Sequence, residues 1–162
     1  MKNKFLNGKK IPAVFLSLIF TAVLIGSCNK DDEDNNNNQP YNISGNANGM
    51  QVVPSNAATG TGTITGTFDP STNTLTYTST WTGLSGAPSS AGFYVGASGV
   101  AGTVVGEPWT LDTTMTTDGT VSSSVVLTAD QASQLLAGNM YYSYYTATYP
   151  GGEIRGQITA TR

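Results

Sequence analysis

"TGTGTITGTFDPSTNTLTYTSTWT" runs from Thr59 to Thr82 and alternates with period two on both sides of a turn. In its second half Leu75, Tyr77 and Trp81 fall on one face and a row of threonines on the other, the pattern of a half-buried strand and not of a helix. Asp69 to Asn73, "DPSTN", supplies turn residues between the halves, so residues 59–68 and 74–82 read as a β-hairpin. Thr on the outer face favours an extended backbone through its β-branch without making that surface greasy.

Working outward, strands are also expected at Gln51–Val53, Ala91–Val95, Thr103–Val105, Trp109–Thr113, Thr120–Leu127, Met140–Ala147 and Glu153–Ala160, with Gly or Pro in nearly every gap. Many short strands at this spacing predict an all-β fold, an antiparallel Ig-like β-sandwich. One short helix, about residues 128–138, interrupts them. In "LTADQASQLLAGN" Thr128 and Gln131 have capping-box spacing, Ala132, Leu135 and Leu136 give an apolar face, and Gly138 stands where a helix stops. A helix this short must lie against the sandwich to be stable.

The chain has 162 residues, and its two ends differ in composition. Five of its seven basic residues precede residue 31, whereas from Tyr41 onward only Arg155 and Arg162 are basic. This acidic, Lys-free region offers no electrostatic footprint for nucleic acid. Its length suffices for one domain, expected at 41–162.

Residues 11–25, "IPAVFLSLIFTAVLI", follow a basic leader and are too short for a permanent span of roughly 20 residues. They suit a signal-peptide core. The run ends in Ile25, Gly26, Ser27 and Cys28, which resembles the lipobox of bacterial lipoproteins. That likeness implies a signal peptide over 1–27, cleavage between Ser27 and Cys28, and acylation of Cys28 as the link to the membrane; an ordinary secretory peptide that contains a Cys is the alternative. Residues 28–40 then read as the lipidated Cys and a disordered acidic and Asn-rich tether. The Lys30-to-Asp34 run resembles the signal that sends some lipoproteins to the outer face of the outer membrane, although plain solvation also explains it.

The sequence contains no histidine and a single cysteine. Ser-His-Asp triads, Cys-His dyads, His or Cys zinc sites and intrachain disulfides are thereby excluded. No cofactor or metal site is expected.

Together "GMQVVP" (49–54), residues 58–86, "GASGVAGTVV" (96–105), the helix segment and above all "YPGGEIRGQI" (149–158) resemble the CHRD domain. The resemblance covers Ile43 to Ile158 and implies a β-sandwich module of extracytoplasmic structural or binding role, without enzymatic activity. Relatives usually carry a His-x-His after the "GLSG" segment and another His before the "PGGEIRG" turn. Gly92, Tyr94 and Tyr145 stand there in this chain, and Val52 replaces the usual Glu of the early motif. A metal function of relatives therefore does not carry over.

Two groups remain as candidate sites. Within the family motif Pro150, Gly151, Gly152, Glu153, Arg155 and Gly156, the residues Glu153 and Arg155 are two apart, so a strand would put both on one face. They read either as a register-fixing pair that bridges to neighbouring strands or backbone carbonyls, or as a polar contact site. The five-tyrosine tract divides by face: Tyr142 and Tyr144 go with Met140, Tyr141 and Tyr145 with Ser143. One set should be core; the other is packed under the helix or exposed. An exposed row of Tyr141 and Tyr145, with Tyr94, would form a binding face for an extracellular glycan or protein. A carboxylate hydrolase, or a Ca²⁺ site joining Asp112 or Asp69 with Asp118, would need acids brought together that the sequence leaves scattered.

Overall fold

A computed structural model describes residues 38–112 and 114–162. The expected signal peptide, Cys28 and most of the tether lie outside the described residues. The hairpin that decides the fold is present as β2 (Thr61–Asp69) and β3 (Thr74–Thr82), paired antiparallel from Thr61↔Thr82 to Asp69↔Thr74. Asn73 in the turn takes the left-handed φ of +53° that Asn tolerates better than most residues.

Before it comes β1 (Tyr41–Asn48), a strand the hydrophobic pattern does not single out. Its inward positions are Ile43, Gly45 and Ala47, too small to advertise a core face. Gly45 is small because the carbonyl of Gln157 passes where a Cβ would stand. Of residues 51–53, expected as a strand, Gln51 instead ends a 3₁₀ turn at Gly49–Gln51, where the Asn48 side chain accepts its N–H, and Val52 and Val53 follow that turn.

The remaining strands are β4 (Pro88–Val95), β5 (Thr103–Val105), β6 (Gly119–Val126), β7 (Met140–Thr146), β8 (Ile154–Gln157) and β9 (Thr159–Thr161). All pairings are antiparallel, in the order β5-β4-β7-β8-β1-β2-β3-β6, with β9 also on β1. The two expected layers are thus the halves of one continuous sheet that curls over itself, as aromatic contacts across the core show. Trp81 of β3 meets Tyr144 of β7 at 5.0 Å, and Tyr77 of β3 meets Phe93 of β4 edge-on at 4.8 Å. The corner is the last segment. Residues 154–157 pair with β7, then Ile158 donates its N–H to Met140, and 159–161 pair with β1. The single strand expected over 153–160 is therefore two, broken at Ile158: β8 lies between β7 and β1, which it meets at Asn48↔Arg155, and β9 pairs with β1.

Of the strand expected over Trp109–Thr113, residues 109–112 are not in a strand. Trp109 turns inward from a loop whose backbone is tied to Ala91, and its ring closes on Tyr77 and Phe93, each 4.9 Å away. The helix α1 (Ala129–Leu136) begins with both halves of the Thr128–Gln131 capping box. It ends in a Schellman motif, with Gly138 at φ +73° and Asn139 N–H returning to Gln134. Ala132 and Leu135 enter the core; Leu136, expected on the same face, is exposed.

Candidate functional site

The motif around Pro150 forms the β7–β8 turn. Pro150 and Gly151 occupy its centre, Gly152 returns its N–H to Tyr149, and Gly152 adopts φ +112°, where a side chain would be strained. Asn56 reaches across to donate to the carbonyls of Gly152 and Glu153. Gly156 faces the core because the Tyr142 ring and the Asn46 backbone leave no room for a Cβ.

Glu153 and Arg155 do not share a strand. β8 begins at Ile154, and the turn aims the Glu153 side chain elsewhere. Its carboxylate, 1 % exposed, accepts the Ser85 N–H at 2.6 Å, the Ser85 hydroxyl at 2.7 Å and the Thr146 hydroxyl at 2.6 Å. These three bonds use most of a buried acceptor's capacity in holding the "GLSG" loop to the end of β7. Arg155 binds a different loop. Nη1 donates to Val100 O at 2.8 Å, Nη2 to Ala97 O at 2.8 Å and to the Gln157 side chain at 3.3 Å. The expected bridging to backbone carbonyls is thus Arg155's, and the two residues act separately.

The tyrosine tract divides as its alternation requires. Met140, Tyr142 and Tyr144 are closed in the core. Tyr144 donates its hydroxyl to Ser79 at 2.7 Å and Tyr142 to Gly45 O at 3.2 Å. Burial raises both phenol pKa values well above the ordinary range, as it does for Tyr77, pushed up to about 12.

The other face carries Tyr141, Ser143 and Tyr145, and it is neither open nor under the helix. The 97–102 loop covers Tyr141, which is 6 % exposed and whose hydroxyl accepts the Gly102 N–H at 3.0 Å. Tyr94 is the direct cross-strand partner of Tyr141 and stacks on it at 5.2 Å and 15°. Tyr145 leans toward Tyr94 from further along β7, at 6.1 Å, over the gap left by Gly92 opposite Ser143. The Arg155 guanidinium lies 3.5 Å from the centre of the Tyr141 ring.

These residues, with Val52, Val53, Ala101, Gly102, Ser143 and Gly151, line a pocket of about 150 Å³. Tyr94 and Tyr145 are half-buried at its mouth. Desolvation, reinforced by the Tyr145 phenol beside it, holds the Tyr94 pKa far above that of a free tyrosine. The three tyrosines singled out as a binding face are therefore brought together, with Arg155 as a fourth member. The sequence placed Arg155 in the turn motif and gave no sign that it joins them.

A larger cavity, about 390 Å³, opens between β6 and the β4–β5 edge over Tyr77, Phe93 and Trp109. Glu107 is the one carboxylate among its lining residues. Three other acids serve turns: Asp69 accepts from Ser71, Asp112 from Thr114, and Asp118 from Gly83 and Thr117. Among the described residues no three of His, Cys, Asp and Glu gather as metal ligands.

No curated protein and no solved structure matches this chain. The family model of the CHRD domain does, over residues 43–158, which run from within β1 past the end of β8. The fold, the "PGGEIRG" turn and this match agree that the chain belongs to the CHRD domain family.

Proposed function

We propose that this protein is an extracytoplasmic lipoprotein, held in the membrane through acylated Cys28 and a short acidic tether, that displays a non-catalytic CHRD binding module at the cell surface. The match to the CHRD domain supports a non-catalytic structural or binding module. The observation that carries a binding role is the pocket in which Tyr94, Tyr141, Tyr145 and Arg155 converge. Its aromatic walls stand on paired strands, so the site is preformed, and a preformed site loses little entropy on binding. An extracellular glycan is the ligand it suits best, since stacked rings, phenol hydroxyls and a guanidinium match the alternating apolar and hydroxyl faces of a sugar; a protein side chain is the other occupant of the right size.

Two measurements test this reading. Membrane fractionation of full-length protein and of Cys28→Ala should show the wild type with membranes and the variant released, and a variant that still sediments with membranes removes the anchor. Glycan-array binding by the full chain in detergent micelles should fall at least tenfold in Tyr145→Ala. Half-buried Tyr145 can be truncated without opening the core, so undiminished binding would move the site elsewhere.

A further inference from the structure

Among the described residues no carboxylate balances the charge on Arg155. The residue is 3 % exposed, and buried guanidinium groups are ordinarily paired with a carboxylate, because an uncompensated buried charge is costly. Here its acceptors are two backbone carbonyls and a Gln amide. Each supplies a partial charge only. Glu153, the nearest carboxylate in sequence, is turned to Ser85 and Thr146. Among the described residues the only side chains that act on Arg155 electrostatically are the phenols of Tyr141 and Tyr145. The three hydrogen bonds engage three of the five guanidinium N–H groups.

A purely mechanical role, clamping the 97–102 loop, needs donors but no net charge. The remaining donors point to something more. Arg155 is the only charged residue lining the pocket. The Tyr141 hydroxyl accepts from Gly102, which leaves its own proton to give, and the Tyr94 and Tyr145 phenols stand at the mouth. Although the domain is acidic as a whole, none of its carboxylates belongs to this lining.

We propose that the tyrosine pocket is an anion-recognition site that takes the carboxylate of an acidic sugar unit, with Arg155 as counter-charge, the phenol hydroxyls as further donors and the aromatic rings against the sugar. This rests on the binding reading above and narrows it to uronate-type glycans. The anion completes a charge that the fold leaves unbalanced, and its hydrogen bonds to a guanidinium are of the stronger, charge-assisted kind. An uncharged sugar of the same shape would leave that charge as it is.

The test compares an oligogalacturonate with its fully methyl-esterified counterpart, by calorimetric titration of the full chain in detergent micelles. Esterification removes the charge and keeps the sugar backbone. The acid should bind at least tenfold tighter than the ester, and the preference should shrink severalfold in Tyr145→Phe, which loses one hydroxyl and no ring. Arg155→Lys, which keeps the charge and loses the fork, should retain part of the preference. Equal binding of acid and ester overturns the anionic assignment while leaving a neutral glycan site standing. Binding of neither overturns it too, and the glycan array then decides the broader reading separately.

Discussion

Glu153 and Ser85 are 68 residues apart in sequence and joined by two hydrogen bonds, the Ser85 N–H and hydroxyl both ending on the Glu153 carboxylate. With the third bond from Thr146, this buried acid ties the loop after β3 to the end of β7. Glu153→Gln places an amide NH₂ against donors and should destabilise the domain by about 2 kcal/mol, within the range for charged hydrogen bonds lost in the interior. Urea unfolding with Thr146→Val in a double-mutant cycle would show the coupling. Additive effects would mean that the carboxylate does not hold Thr146.

Arg155 fixes the 97–102 loop over Tyr141, so Arg155→Lys, with one point of charge in place of a planar fork, should loosen that loop more than the sheet. Hydrogen exchange at Gly102, whose N–H is bonded to Tyr141, should quicken while the amides of β7 stay protected. A stability loss of about 1–3 kcal/mol is expected. Unchanged exchange at Gly102 would show that the loop stands without the arginine.

Burial raises the phenol pKa values of Tyr77, Tyr94, Tyr142 and Tyr144, desolvation being the largest cause in each. A raised folded-state value means that above the unfolded value, about 10, the unfolded chain has released protons the folded one still holds. Stability from these groups is complete below pH about 10 and is lost as pH rises toward and beyond the value of about 12 for Tyr77. An ultraviolet titration should show these four phenols ionising only with alkaline unfolding. Their ionisation near pH 10 with the fold intact would contradict the burial.

The two tryptophans should respond differently to shortening. Trp81 donates its indole N–H to Thr116 O at 3.2 Å, whereas the buried Trp109 indole N–H has no hydrogen-bond partner among the described residues. Removing an unsatisfied donor relieves a desolvation penalty of about 1–3 kcal/mol, which offsets the packing lost. Trp109→Phe should therefore cost less than Trp81→Phe by at least about 1 kcal/mol in urea unfolding. Equal costs would show that the Trp109 donor is satisfied in solution.

Elements whose cause is local were legible. The β2–β3 hairpin stands where alternation and "DPSTN" put it, and Thr128 and Gln131 cap the helix as their spacing requires. Elements whose identity depends on a distant partner were not. Tyr41–Asn48 has small inward residues because Gln157 and Ile64 crowd Gly45, and Val52 and Val53 look like a strand but follow a turn set by the Asn48 side chain. Trp109 is drawn into the core by Tyr77, Phe93, Tyr142 and Tyr144, all from other segments, and no local pattern records that.

The sequence by itself determined the antiparallel β class, the helix and the absence of histidine chemistry, because period, caps and composition are properties of neighbouring residues. Only the tertiary structure decided that Glu153 and Arg155 part company and that Arg155 joins Tyr94, Tyr141 and Tyr145. Strand pairing brings those four together from β4, β7 and β8, and the start of β8 at Ile154 sends the Glu153 side chain to Ser85. Which faces meet is fixed by non-local register, and register is set by the burial of a whole sheet face at once.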